Sequence, residues 1–142
     1  MFENVLRHPE SRYFGIDCWK YSGKHDDRAV EERARGNLAP YGARAELILG
    51  QSDDVLRQAR WERSSIDIAY IDGEHYAPAV LADSVLTWPL MKIGGIVVWD
   101  DYGLRRRMEG VRRGVNAFLS CMDGTFEPYF EASRQLAVKK VA

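Results

Sequence analysis

Three aspartates and one histidine stand directly after two apolar runs. Ile66-Asp-Ile-Ala-Tyr-Ile71 leads without a break into Asp72-Gly-Glu-His75, and Val97-Val-Trp99 leads into Asp100-Asp101. Asp72 and His75 are three apart on a turn, so both side chains can enter one pocket. Gly73 between them permits a sharp turn or the close approach of a ligand to the backbone. Adjacent carboxylates at the end of a buried strand repel each other unless a cation or hydrogen-bond donors compensate. The oxygen-only set Asp72, Asp100 and Asp101 suits Mg²⁺, Mn²⁺ or Ca²⁺ rather than zinc. A plainer reading, solvated loop acids beside a capping Asp and a surface His, is left open by spacing alone.

Two further strand ends carry polar groups. Asp17 follows Ile16, and an acidic residue there can accept hydrogen bonds from both hydroxyls of a ribose; it can equally form a turn. Gln51-Ser52 follows Ala45-Glu-Leu-Ile-Leu49, with Ser52 placed as a helix N-cap and Asp53 and Asp54 at the positive end of the dipole. Trp19 and Tyr21 can wall an adenine or substrate pocket, although aromatics after a strand more often pack. Arg105-Arg-Arg107, Arg112 and Arg113 read as a solvated helix face, with attraction of an anionic substrate as the lesser reading. Cys18 and Cys121 read as small hydrophobes.

The elements that position these groups follow from periodicity. Phe2 to Arg7 reads as a helix tail stopped before Pro9. Tyr13–Cys18, 45–49, 66–71 and Ile96–Trp99 read as strands. Helices are expected from Asp26 to Leu38, with Val30, Ala34 and Leu38 on one face; in a short segment after Gly50; from near Pro78, with Ala77, Leu81, Val85 and Trp88 on one stripe, closed by Gly94-Gly95; and around Met108 to Met122. Two closing strands, Phe126–Glu131 and Gln135–Lys140, form a tight pair. Strands alternating with helices imply an α/β fold with a doubly wound, mostly parallel sheet and an antiparallel hairpin at its edge. In such sheets ligands bind at the carboxyl ends of the strands, where the polar groups gather.

Composition narrows the function. The chain has 142 residues, which implies one domain, 1–142. Lys and Arg number 20 against 21 Asp and Glu, a balance unlike that of a dedicated nucleic-acid binder. Two cysteines provide neither a disulfide scaffold nor a zinc ribbon. No apolar run reaches membrane-span length, and the amino-terminal residues have no signal-peptide pattern. A cytoplasmic protein with no membrane or nucleic-acid partner is expected, and homo-oligomerisation is open.

The stretch 66–75 together with Trp88-Pro-Leu-Met-Lys-Ile-Gly-Gly-Ile-Val-Val-Trp-Asp-Asp-Tyr102 resembles the class I S-adenosylmethionine-dependent methyltransferases. The resemblance is strongest to their metal-dependent O-methyltransferases, the catechol O-methyltransferase-like and macrocin-type sugar enzymes. It implies a Rossmann-like fold and methyl transfer to a hydroxyl of a small molecule, with S-adenosylmethionine and Mg²⁺ or another divalent cation as cofactors. It implies that Asp17 holds the cofactor ribose, that Gln51 and Ser52 border the adenine, and that Asp72 lies at the same cofactor site. Asp72, Asp100 and Asp101 match the metal-ligand positions, and His75 the general base. An imidazole is the side chain best suited to take a proton at neutral pH, which fits His75 to that role.

One departure is expected. The family's first, central strand and its glycine-rich cofactor turn should precede the helix at 2–7, and the chain begins inside that helix. Three explanations stand: a longer working protein, a remnant, or a sheet that closes without the strand or takes one from a partner chain. Two other functions compete with the enzyme reading, namely a non-catalytic methyltransferase-like module and a metal-dependent hydrolase using the same carboxylates.

Overall fold

The computed structural model describes residues 7–20, 27–103 and 109–142. The readings for Phe2–Leu6, Tyr21, Asp26, Arg105–Arg107 and Met108 lie outside the described residues. The chain forms two compact units, Met1–Val55 and Leu56–Ala142.

In the first unit, β1 (Tyr13–Asp17) runs parallel to β2 (Ala45–Leu49), with Asp17 opposite Leu49. Helix α1 (Asp27–Leu38) connects them. Its half-buried face is Val30, Ala34 and Leu38, the expected i, i+4, i+8 stripe. Pro40 and Gly42 end it in a short 3-10 stretch, Ala39–Arg44, where Gly42 adopts φ +53°. Helix α2 (Ser52–Leu56) follows β2. Ser52 is its first residue rather than its cap. The Gln51 carbonyl accepts the first helical bond from the Val55 N–H at 3.0 Å, so Gln51 holds the cap position.

The second unit is a four-stranded sheet in the order β3-β4-β6-β5, made of β3 (Ile66–Ile71), β4 (Met91–Trp99), β5 (Phe126–Ala132) and β6 (Gln135–Lys140). β3 and β4 are parallel; β4–β6 and β6–β5 are antiparallel. This is the expected α/β arrangement with an antiparallel hairpin edge. Among the described residues β3 pairs with β4 alone. Helices α3 (Ala77–Thr87) and α4 (Glu109–Cys121) pack together. Their core with the sheet includes Val80, Trp88, Val97, Trp99, Val115 and Phe118. Trp99 and Phe118 are fully buried, and Trp88 meets Phe118 edge-on at 5.4 Å. Burial of each such side chain contributes on the order of 2–3 kcal/mol.

Three expectations are corrected. Gly94-Gly95 does not close α3; it lies inside β4. Between Ile66↔Met91 and Ile68↔Ile96 the register shifts by a bulge, which Gly94 serves with φ +86°. A Cβ on Gly95 would sit 2.9 Å from the Lys92 carbonyl oxygen and 3.2 Å from that of Ile66, so no side chain fits. The buried stripe of α3 is also rotated. Val85 is 45% exposed, whereas Val80, Asp83, Ser84 and Thr87 are buried. The reason is polar: the Ser84 hydroxyl donates to the Val80 carbonyl at 2.6 Å and accepts the Trp99 indole N–H at 2.9 Å. A serine therefore occupies a core position because a buried tryptophan needs an acceptor. Finally, Cys121 is exposed rather than packed. No helix among the described residues is long and apolar enough to cross a membrane.

Candidate functional site

In the second unit, the site is built where β3 and β4 end side by side. The Asp100 N–H continues the ladder by donating to the Ile71 carbonyl at 3.1 Å, which fixes the start of the Asp100-Asp101 pair against β3. Asp101 then turns into the left-handed region at φ +56°. Aspartate tolerates this conformation better than most residues, yet it is uncommon, and such outliers cluster at functional sites. The turn breaks the strand alternation and sends the two side chains to different partners.

Asp101 meets the loop after β3. Asp72, His75 and Asp101 offer ligand atoms that all lie within 4.8 Å of one another. His75 Nε2 is 3.4 Å from Asp101 Oδ2. Asp100 is drawn elsewhere: its Oδ1 accepts from Gln135 Nε2 at 3.1 Å, and the same amide donates to the Tyr70 hydroxyl at 2.7 Å. The structure thus gathers Asp72, His75 and Asp101, and ties Asp100 to the start of β6. A cavity of about 10 Å³, room for about one water or ion, is lined in part by Asp72, His75 and Asp100.

Electrostatics follow these contacts. Burial alone would raise the Asp100 pKa, but hydrogen bonds from Gln135, the Asp101 backbone and Tyr70, with the charge of Arg134, outweigh it and hold the carboxyl below its ordinary value. Tyr70 is pushed up to about 12, first by burial and then by the hydrogen bond and charge of Asp100 and the charge of Asp72. The tyrosine therefore stays a neutral donor at physiological pH.

Several positioning residues were not legible in advance. Gly110 lies against the His75 backbone; a Cβ there would collide with the His75 carbonyl oxygen and stand 3.2 Å from the Ala77 nitrogen. The two-residue turn between β5 and β6 also reaches the site, with Arg134 Nη1 3.8 Å from Asp101 Oδ1. A conspicuous sequence signal was lacking for Gly110, Arg134, Gln135 and Tyr70, because their roles depend on pairings 33 to 65 residues away or on a helix crossing.

In the first unit, the parallel pairing brings Asp17 and Gln51-Ser52 to the same end of the sheet, with the Gly50 N–H donating to the Asp17 carbonyl at 3.1 Å. Asp17 Oδ1 accepts the Trp19 N–H at 2.7 Å, so the carboxylate is oriented by its own turn. Trp19 itself has φ +51°, a strained value for so bulky a residue. It is 9% exposed, and its indole N–H is buried with no partner among the described residues. A recess of about 270 Å³ is lined by Asp17, Trp19, Gly15 and, from α1, Asn37.

Comparison with known proteins agrees with this architecture. Residues 1–102 match the family model described as a methyltransferase domain. No curated protein sequence matches the chain significantly. Among solved structures, the O-methyltransferase NovP aligns with TM-score 0.70 at 16% identity, over 94% of this chain and 61% of its own. CalS11, a TDP-rhamnose 3'-O-methyltransferase of calicheamicin biosynthesis, aligns with TM-score 0.65 at 14% identity, over 95% and 61%. MycE, solved with Mg, SAH and mycinamycin VI, aligns with TM-score 0.57 at 15% identity, over 92% and 45%. The chain thus spans less than two thirds of the length of these structures. Strand order, acidic strand ends and the match over most of the chain lead to one conclusion: the chain belongs to the methyltransferase-domain family and has the Rossmann-like fold of the class I S-adenosylmethionine-dependent methyltransferases.

Proposed function

We propose that the chain is an S-adenosylmethionine-dependent O-methyltransferase domain acting, with a divalent cation, on a hydroxyl of a small molecule such as a sugar or natural product. The observation that carries this reading is the convergence of Asp72, His75 and Asp101 within 4.8 Å at two adjacent strand ends of a methyltransferase-family fold. The residues fit both implied groups. The two carboxylates Asp72 and Asp101 suit a hard divalent cation such as Mg²⁺, with His75 close enough to act beside it. Asp17, Gln51 and Ser52 share one sheet end, and Asp17 and Trp19 line a recess of about 270 Å³, which fits part of an adenosyl cofactor.

When bound, S-adenosylmethionine supplies an electrophilic methyl group and the cation supplies the charge that acidifies the acceptor hydroxyl. The residues of the chain do the rest. Asp72 and Asp101 would hold the cation. Asp100, clamped by Gln135 and Tyr70, adds negative charge from beside the pair. His75 takes the hydroxyl proton at Nε2 while the acceptor is held in line for attack.

The grouping of His75 rather than Asp100 with Asp72 and Asp101 favours a second reading, in which His75 is itself a ligand. Titration calorimetry with Mg²⁺ and S-adenosylhomocysteine separates the two. Asp72→Asn and Asp101→Asn are expected to weaken Mg²⁺ binding at least about tenfold, since each removes a charged ligand. His75→Ala leaves Mg²⁺ affinity intact if His75 is the base and collapses it if His75 is a ligand. Unchanged Mg²⁺ affinity in both aspartate variants removes the metal from the proposal. Absence of S-adenosylhomocysteine binding by the folded chain removes the cofactor.

A further inference from the structure

We propose that Arg134 sets acceptor specificity by presenting its guanidinium to an oxyanion, carboxylate or phosphate, carried by the substrate near the hydroxyl to be methylated. This rests on the methyl-transfer reading above. Arg134 is the second residue of the turn Ser133-Arg134, after Ser133 at φ +61°. Its carbonyl accepts the Gly103 N–H at 3.1 Å, and a Cβ on Gly103 would stand 3.2 Å from its Cα. The Arg134 backbone is therefore seated against the turn that bears Asp101.

The side chain is held much less firmly. Nη1 lies 3.8 Å from Asp101 Oδ1, beyond hydrogen-bond distance, and the side chain is 58% exposed. An arginine kept for structure shows short, bidentate, buried contacts; an exposed pair at this separation stabilises little. The other Asp101 oxygen already faces His75 at 3.4 Å. A cation held by Asp72 and Asp101 competes with the guanidinium for the same carboxylate, and Arg134 is then left, among the described residues, with only the charge of Asp100, which Gln135 and Tyr70 already engage. Its planar fork of five donors matches carboxylate and phosphate geometry, whereas a neutral acceptor gains nothing from it and a cationic one is repelled.

The test compares three probes that share one vicinal diol: catechol, 3,4-dihydroxybenzoate and 3,4-dihydroxyphenylphosphonate. Each is titrated into the 142-residue chain with Mg²⁺ and S-adenosylhomocysteine present. The anionic probes are expected to bind about tenfold more tightly than catechol, the scale of one charge-assisted hydrogen-bonded contact. That ratio should fall to near one in Arg134→Gln and lie between in Arg134→Lys, which keeps the charge and loses the fork. The better of the two anions identifies the source. A ratio near one in the unchanged chain, or a ratio that survives Arg134→Gln, overturns the assignment while catechol binding leaves the methyl-transfer reading standing. Failure of all three probes to bind a folded chain that still binds S-adenosylhomocysteine overturns the assignment of Arg134 alone, whereas loss of S-adenosylhomocysteine binding overturns the methyl-transfer reading.

Discussion

Ser84→Ala tests whether a single buried hydroxyl holds the floor of the site. Trp99 is fully buried, immediately precedes Asp100, and has its indole N–H satisfied by Ser84 Oγ at 2.9 Å. Alanine keeps the helix and removes the acceptor. The Trp99 N–H is then left in a core with no route to water, which costs about 1–3 kcal/mol. For a unit the size of Leu56–Ala142, about 2 kcal/mol corresponds to a fall in Tm of roughly 10 °C. The assay is chemical denaturation of Ser84→Ala, Trp99→Phe and the double variant. Trp99→Phe carries its own cavity cost, but in its presence the serine has no indole to satisfy. The double variant should therefore be more stable than the sum of the single losses predicts, by about 1–2 kcal/mol. Additivity within about 0.5 kcal/mol would refute the account, and Ser84 would be buried for another reason.

Three more predictions concern the site. Tyr70 has its folded-state pKa raised from 10.0 to about 12, so the neutral phenol is favoured in the fold. Its stabilisation is complete below pH 10 and is lost as pH rises from there towards about 12. Stability measured over that range should fall less steeply in Tyr70→Phe than in the unchanged chain. Asp100, held below its ordinary value of 3.8, gives the opposite sign: its contribution is present above that pH and is lost on acidification through the lower folded value, so Asp100→Asn should flatten the acid limb of the same profile. Gly110→Ala forces a methyl group into the His75 carbonyl. A destabilisation of about 1–3 kcal/mol is expected, as for other overpacked sites, with methyl transfer slowed if His75 is the base and Mg²⁺ binding weakened as well if it is a ligand; both unchanged would show that α4 does not position His75.

The acidic strand ends were legible because each lies within one or two residues of an apolar run, a local signal. Asp72 and Asp101 were marked this way, and His75 by its place three residues beyond Asp72; the structure gathers all three. The strands at 13–17, 45–49 and 66–71 and the apolar face of α1 were legible for the same reason. What was missed depends on tertiary partners. The α3 stripe was read from hydrophobicity alone, which cannot know that Trp99 requires Ser84 beneath it. Gly94-Gly95 carries the signature of a helix stop, and only the register between β3 and β4 shows it to be a bulge. The partners of Asp100 lie on β3 and at the start of β6, and sequence spacing does not bring residues 70, 100 and 135 together.

The turn between β5 and β6 bears on both members of the Asp100-Asp101 pair through consecutive residues, Gln135 on one and Arg134 on the other. Hairpin tips ordinarily absorb insertions with little effect. Here the length of the tip is itself a functional parameter. One added residue would carry Arg134 away from Asp101 or turn Gln135 to the opposite face of the sheet, and so detune both carboxylates at once without altering either. Length variation at 133–134 is therefore a more economical route to a changed acceptor preference, in evolution or in engineering, than substitution of the acids themselves.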